Sequence, residues 1–544
     1  MTTGGGRVPD LLLRNGLIVD GTGSQAVGGD IAISGDRIVH VGLDGPAARE
    51  IIDVTGAVIA PGFIDMHSHA DFTLPAYPGA TNSLAQGVTT EVVGNCGWSP
   101  APLAAGNRGD EYRELAAGIG RDLDWEWTGY GSYLAALGRA RPAVNCVPLV
   151  GHHAVRVAAM GTEARRPTTD ELERMRNLVR NATQSGAFGL STGLVYPPGA
   201  YAETDELVEL ARIVRPFGGI YASHIRNESS DLVAAVDEAL GIAQAADLAV
   251  QISHLKSAGT ANRGLVRTAI DRIVAARGRG VDAHFDGYPY EAVSTFLSQV
   301  LPPWVLDGGV DAMTGRLATE DQRSRIRAEI TRGSGGWTSL VTAAGGWEKL
   351  TIVSVGSSSL EWAVGRPLSD VAADRATPPD SLALEILHLD RGRTVMVLEA
   401  MADDDVRSVI AHPLGAIGSD QLGVFSADAP VHPRAYGTFA RVAGRFVREG
   451  VLTLEGAIHK MTGLPASIMG LPDRGRLAPG AVADITVFDL VRFEDRATYR
   501  EPTRPAAGLI HVLMGGRFAV RDGTVVDARL GSVLRPTRLQ ARDS

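Results

Sequence analysis

Two histidines stand at i and i+2 in Pro61-Gly62-Phe63-Ile64-Asp65-Met66-His67-Ser68-His69-Ala70-Asp71, directly behind the apolar run Val58-Ile59-Ala60. On a β-strand such a pair points to one face. Two imidazoles converging from a strand end make half of a metal site. The plain alternative is a histidine-containing turn, and further candidate ligands at other strand ends argue against it. His224 closes Gly219-Ile220-Tyr221-Ala222-Ser223, and His254 closes Leu248-Ala249-Val250-Gln251-Ile252-Ser253. Asp420 closes Ala416-Ile417-Gly418-Ser419. A carboxylate there binds a metal or accepts a proton from metal-bound water, or else caps a turn. Cys96 lies in Val92-Val93-Gly94-Asn95-Cys96-Gly97, where a strand runs into a turn. Alone it reads as a buried apolar cysteine; beside four strand-end histidines it reads as a thiolate ligand. His152 and His153, in Gly151-His152-His153-Ala154, also stand at a strand end. One of them is a candidate for substrate contact, with simple packing as the alternative.

Groups so far apart in sequence need a scaffold that returns every strand end to one place. The middle of the chain supplies its signature. Apolar runs such as Asn145-Cys146-Val147-Pro148-Leu149-Val150 and Val281-Asp282-Ala283-His284-Phe285 alternate with helical patterns. One such helix, near 169–184, carries Leu172, Met175, Leu178 and Val179 at helical spacing, with Thr169 as its cap. Repeated βα units predict an α/β fold of the (β/α)8 TIM type, with catalytic groups at the carboxyl ends of the strands. Both chain ends read instead as short strands and turns, which predicts a small β-sandwich built from residues 1–62 and 475–535. The barrel then occupies 63–474. Pro302-Pro303, Gly308-Gly309 and Gly333 to Gly336 break the rhythm and mark an insertion at about 288–345.

Bulk properties bound the function. Of 544 residues, 44% are hydrophobic and 21% charged, which suits a large soluble core. A net charge of −10 argues against nucleic-acid binding. Met1 to Gly6 carries no secretory signal, and no run is long enough to cross a membrane, so a cytoplasmic location is expected. Cys96 and Cys146 are the only cysteines; they make no disulfide framework, though one bridge is the alternative to a ligand. Cys146, early in its strand, reads as core. The lysines are Lys256, Lys349 and Lys460 only.

The chain resembles the amidohydrolase superfamily, and within it the N-acyl-D-amino-acid deacylases, or D-aminoacylases. The resemblance rests on Pro61 to Asp71, Gly87-Val88-Thr89-Thr90 through Gly97, Gly189-Leu190-Ser191-Thr192-Gly193-Leu194-Val195-Tyr196-Pro197-Pro198-Gly199, Ser223-His224-Ile225-Arg226, Ser253-His254-Leu255-Lys256, Asp286-Gly287-Tyr288-Pro289-Tyr290, Gly418-Ser419-Asp420 and His432-Pro433-Arg434-Ala435-Tyr436. It implies that Cys96, His224 and His254 hold one tight zinc ion and that His67, His69 and Asp420 hold a second, weaker one, with Cys96 able to bridge. Many superfamily members bridge with a carboxylated lysine before the third histidine. No lysine precedes His224 here, which leaves that role to Cys96.

The resemblance also implies that Tyr196, Lys256 and Arg434 grip the substrate α-carboxylate, chemistry that cations and a phenol suit. Ser294-Thr295-Phe296 lies where the family sets side-chain preference, and the uncharged Phe296 points to neutral or apolar side chains. The implied reaction is hydrolysis of a small-molecule N-acyl-D-amino acid by metal-activated hydroxide, with Asp420 as general base and then acid. Two features depart from the family. Gln421 stands where glycine is usual, and the loop onward to His432 is long. Hydrolysis of a cyclic amide, lactone or other amide on the same metal set is the rival reading, and a non-catalytic binding barrel is the rival from another class. The oligomeric state is left open, a homo-oligomer included.

Overall fold

The computed structural model describes residues 8–120, 122–334, 337–423, 431–537 and 539. Met1 to Gly6, Gly335-Gly336 and most of the loop between Asp420 and His432 therefore lie outside the described residues. Eight parallel strands form the frame: Phe63–Asp65, Val88–Val93, Asn145–Pro148 continued by Val150–Gly151, Gly189–Gly193, Ile220–His224, Ala249–Ile252, Ala283–Gly287 and Gly415–Ile417. Each pairs in parallel with its neighbour. The ring closes where Met66 N donates to Ile417 O at 3.0 Å and His69 N donates to Gln421 O at 2.9 Å. Nearly every residue of these strands is buried, so they read as continuous apolar runs rather than alternating ones. Because all eight run the same way, their carboxyl ends share one rim.

The helices between strands wrap the outside. Thr169–Ser185 starts on a capping box in which Thr168, not Thr169, is the cap: Glu171 N donates to Thr168 Oγ1 at 3.3 Å, and Thr168 N donates to Glu171 Oε2 at 2.8 Å. Two adjacent threonines make the cap ambiguous by one residue, and the glutamate three places on selects the first.

Strands from both chain ends make one nine-stranded sheet. Its continuity runs through Val58–Pro61, which pairs in parallel with Leu11–Ile18 and antiparallel with Ile485–Phe488. At its far edge, Arg37–Gly42 curls back, with Ile38 N donating to Ala481 O at 2.9 Å. The sheet thereby encloses its own core of Leu11, Leu13, Ile31, Ile33, Ile485, Val487 and Leu513. Val58–Pro61 passes through Gly62 straight into the first barrel strand. A Cβ on Gly62 would lie 2.3 Å from Thr89 Oγ1, so only glycine lets the two layers meet there.

The insertion is longer than the expected 288–345. An antiparallel sheet of Ala292–Phe296, Leu350–Ser354 and Val395–Glu399 carries the excursion to residue 399. Proline and glycine clusters marked only its first half; the second half pairs back onto the first and shares its core of Leu297, Ile326, Ile352, Leu384 and Met396.

Candidate active site

Asp65 sets the site's starting geometry. Buried at the end of the first strand, it accepts hydrogen bonds from His67 N at 3.1 Å, Ser419 N at 2.8 Å and Ser419 Oγ at 2.5 Å. These bonds lock the first strand end to the eighth. His67 and His69 consequently face Asp420, whose Oδ1 lies 3.5 Å from His67 Nε2 and 3.4 Å from His69 Nε2. Cys96 Sγ lies 3.2 Å from His67 Nε2 and 3.3 Å from His254 Nε2. Two donor groups result: His67, His69, Cys96 and Asp420, and Cys96, His224 and His254, with the donor atoms in each within 4.8 Å of one another. Cys96 belongs to both.

Three of the six donors sit on left-handed backbone: Cys96 at φ 53°, His254 at 33° and Asp420 at 52°. Such a conformation costs a non-glycine residue roughly 1–3 kcal/mol and persists where the surroundings over-determine it. Here each sharp turn aims a side chain inward off the strand end. Asp286 helps to hold one of them, its Oδ1 accepting from His254 N at 2.8 Å while lying 3.2 Å from His67 Nδ1.

The donor set fits zinc. Burial pushes the pKa values of His69, His224 and His254 below the usual range, so all three are neutral, the ligand form. Both ring nitrogens of His224 are buried without a hydrogen-bond partner, as is His69 Nδ1. Burial raises the Asp420 carboxyl pKa, but Arg434, His254 and His67 outweigh it and hold the group well below its ordinary value. Burial, with Asp420 second, pushes the Cys96 thiol up. Only a cation among these donors makes a thiolate there favourable, and a Cys, His and carboxylate set is zinc chemistry.

A cavity of about 460 Å³ opens over these donors. His69, Cys96, His224, His254 and Asp420 form its floor, and Trp98, Leu194, Tyr196, Phe296 and Leu301 its walls. Tyr196 hydroxyl lies 3.0 Å from Thr295 Oγ1, and its ring meets His224 edge-on. Lys256 lines the cavity but is engaged: its Nζ lies 2.5 Å from Glu228 Oε1 and 2.6 Å from His254 Nδ1. Arg434, fully buried, sits 2.9 Å from Asp420 Oδ2 and over the ring of Tyr288 at 4.7 Å.

His152 is elsewhere. It is buried outside the cavity lining, with Nε2 2.8 Å from Glu206 Oε1, while Glu206 Oε2 accepts from Arg156 at 2.5 Å. The buried carboxylate claims the imidazole and turns it away from the cavity. Its neighbour His153 instead stacks on Trp98 at 4.5 Å and meets Tyr196 O at 3.1 Å, supporting the wall from behind.

Sequence reasoning missed Glu228, Tyr288, Asp286 and the acids behind the floor. Glu228 stands four residues after His224, a usable signal; Tyr288 closes Asp286-Gly287-Tyr288. Nothing marked Glu91. Buried behind the first strand, it accepts from Ser68 Oγ at 2.7 Å, Ser83 Oγ at 2.5 Å and Gln421 Nε2 at 3.1 Å. Gln421 Oε1 in turn accepts from Asn82 Nδ2 at 2.6 Å. The glutamine that departs from the usual glycine is thus the knot between the two ligand-bearing turns. Cys96 and Cys146 are both buried and free of disulfides.

The amidohydrolase family model matches residues 50–261 and 357–520. An N-acyl-D-glutamate deacylase of Alcaligenes xylosoxydans xylosoxydans is 37% identical over 97% of this chain and 96% of its own length. A D-aminoacylase crystallised to define the role of its binuclear metal centre, with one-metal activation and second-metal attenuation, is 34% identical, with a TM-score of 0.82 over 97% of this chain and all of that one. An N-acyl-D-glutamate deacylase from Bordetella bronchiseptica, crystallised with zinc and a phosphonate mimic of the tetrahedral intermediate, gives the same 34%, 0.82, 97% and 100%.

Proposed function

The chain belongs to the amidohydrolase family, and on that premise we propose that it is a zinc-dependent hydrolase releasing a carboxylate and a free D-amino acid from N-acyl-D-amino acids. The observation that carries the reading is the sharing of Cys96 between two buried donor groups, one of which ends on Asp420 with Arg434 at its back. Cys96, His224 and His254 would hold the tight zinc ion, and His67, His69 and Asp420 a second, weaker one. When bound, zinc activates water at neutral pH and polarises the acyl carbonyl.

The chain's own groups do the rest. Asp420, kept ionised by Arg434, takes the proton from the attacking water at Oδ1 and returns it to the departing amine nitrogen. Arg434, whose Nε is buried without a hydrogen-bond partner while its Nη1 pairs with Asp420 Oδ2 at 2.9 Å, supplies the cation for the α-carboxylate from behind the cavity lining. Tyr288, with a buried unpartnered hydroxyl beneath that guanidinium, and Tyr196 on the opposite wall supply phenols. The apolar walls exclude water and receive the amino-acid side chain. Among the described lining residues, the cations Arg226 and Lys256 already carry Glu238 and Glu228. Each of these charges is already compensated by an acid, so the favoured side chains are neutral and apolar. The same reading divides the chain into a β domain, 1–62 with 475–535, and a catalytic barrel, 63–474. It places the protein in the cytoplasm, where two free cysteines are at home. No helix among the described residues is long and apolar enough to cross a membrane.

The test is a panel of N-acetyl-D-leucine, N-acetyl-D-phenylalanine, N-acetyl-D-glutamate, their L forms, a hydantoin and a dihydropyrimidine, assayed on the zinc-loaded protein. Turnover should be confined to the D-series and fastest on the apolar members. Preference for a cyclic amide would sink the deacylase assignment, and preference for D-glutamate would sink the side-chain assignment.

A further inference from the structure

Among the described residues, Glu228 is the acid that touches both histidines of the Cys96, His224 and His254 group. Its Oε1 lies 3.0 Å from His254 Nδ1, and its Oε2 lies 3.5 Å from His224 Nε2. It also receives Lys256 Nζ at 2.5 Å, and that ammonium lies 2.6 Å from the same His254 Nδ1.

This arrangement poses a proton-counting problem. His254 Nε2 faces Cys96 Sγ, the metal side. When Nε2 gives its lone pair to zinc, the ring hydrogen must sit on Nδ1. Nδ1–H is then a donor, and so is the lysine ammonium beside it. Two donors at 2.6 Å cannot satisfy each other. Glu228 Oε1 is the acceptor within reach of both. Charge points the same way, because a lysine cation one ring away from a zinc ion opposes it in a site that excludes water.

We infer that Glu228 is a positioning residue for the zinc site: its carboxylate fixes His254 with the hydrogen on Nδ1 and cancels the Lys256 charge that would otherwise oppose zinc at Nε2. The inference rests on the reading of Cys96, His224 and His254 as zinc ligands. Lys256 lines the cavity with its charge compensated by Glu228, and its remaining hydrogens leave it able to meet a substrate carboxylate. The i+4 spacing from His224 is what makes the arrangement economical: the strand-end turn that aims His224 inward also delivers Glu228 beside His254.

The experiment measures zinc affinity, not activity. Metal-free protein is titrated with zinc against a chromophoric chelator at neutral pH, with circular dichroism at saturating zinc as the folding control. Glu228→Gln keeps the shape and one acceptor oxygen but loses the charge. It should bind zinc about 10- to 100-fold more weakly, the usual effect of losing a partner behind a metal-bound histidine. Lys256→Met should stay within about threefold of native, since Glu228 still accepts from His254. The double variant should recover most of the loss, because the amide oxygen alone serves Nδ1–H once the cation is gone. Glu228→Gln binding within threefold of native, or a double variant no tighter than Glu228→Gln, overturns the proposal. Should Glu228→Gln fail to fold, a double variant that folds supports the proposal, since removing the Lys256 charge then restores what the lost carboxylate supplied, and a double variant that also fails to fold overturns it. Zinc affinity does not depend on which amide is cleaved, so this result and the substrate panel fail separately.

Discussion

Replacing Asp420 by Asn separates proton transfer from everything else that residue does. The backbone bond from residue 420 N to His67 O, 2.7 Å, is untouched, so the turn stays in place. An amide is isosteric with the carboxylate, and its oxygen can still face Arg434, now 2.9 Å from Oδ2. Cys96, His224 and His254 do not use Asp420 as a hydrogen-bond partner, so the tight zinc should remain. What disappears is a base that can take a proton at Oδ1. Loss of a positioned general acid–base lowers rates by roughly 10²- to 10⁴-fold, which is about 2.7–5.5 kcal/mol of barrier. The expected outcome is a fall of that size in kcat on N-acetyl-D-leucine, with KM changed by less than about fivefold, since Arg434 and not residue 420 holds the substrate. Steady-state release of free amine measures the first, and elemental zinc analysis of the same preparation checks that the metal stays. A kcat within tenfold of native at full zinc content would refute the proton-transfer role. A protein stripped of zinc would show that Asp420 is a ligand before it is a base.

Other changes test other joints of the site. Cys96→Ala should empty both donor groups, whereas Cys96→Asp, which can still bridge, should keep at least one zinc ion per chain; elemental analysis distinguishes them. Gln421→Gly removes one hydrogen bond each from the buried Glu91 and Asn82, which keep Ser68, Ser83 and Ala435 as partners, and should cost about 1–3 kcal/mol in urea unfolding, at about 0.5–1.5 per bond. Phe296→Arg puts a cation into the apolar wall and should raise kcat/KM for N-acetyl-D-glutamate relative to N-acetyl-D-leucine by roughly tenfold or more, one charge-assisted contact being worth about 1.5–3 kcal/mol. Burial alone would raise the Glu206 carboxyl pKa, but His152 and Arg156 outweigh it and hold the group below its ordinary value. A depressed carboxylate adds stability that is full above the unfolded pKa and lost as pH falls through the folded one. Glu206→Gln should therefore weaken the protein at pH 7 and flatten the decline of unfolding free energy below about pH 4.3.

The grouping of the candidate ligands and the fold were legible for one reason. A parallel barrel turns strand ends into a common rim, so a chemically apt residue at the end of an apolar run is placed before any coordinate is known. His67, His69, His224, His254 and Asp420 all announce themselves that way. What the chain does not announce is partnership at right angles to the strands. His152 carries the same local pattern as His224, yet Glu206, from a helix fifty residues on, claims it. Lys256 looks like a free cation until Glu228 is found at 2.5 Å. Glu91 lies inside a strand that is buried throughout, where sequence alone offers no reason for a carboxylate. The insertion shows the same limit: its return strand is recognisable only by the strand it pairs with.

These hidden partners also divide the site into two halves held by different means. The His67, His69 and Asp420 half is built before any metal arrives. Asp65 ties its turns together, and Ser68, Ser83 and Gln421 converge on Glu91 behind it, with Asn82 donating to Gln421. The other half is backed less fully: Asp286 and Glu228 hold His254, but neither ring nitrogen of His224 makes a hydrogen bond, Glu228 Oε2 lying 3.5 Å away. On the proposed ligand assignment, zinc would supply His224 with a partner, and part of its binding energy would go into ordering that half. Zinc at a hundredfold excess over its Kd adds about 2.7 kcal/mol to stability. Hydrogen exchange on chelated and zinc-loaded protein should locate that gain. Removing zinc should release protection around Gly94–Gly97, Ala222–Ile225 and Ile252–Lys256, and leave Asp65–His69 and Ile417–Gln421 nearly as protected as before. Equal loss in both halves would mean that the Glu91 network needs the metal too, and that the first half is no better prepared than the second.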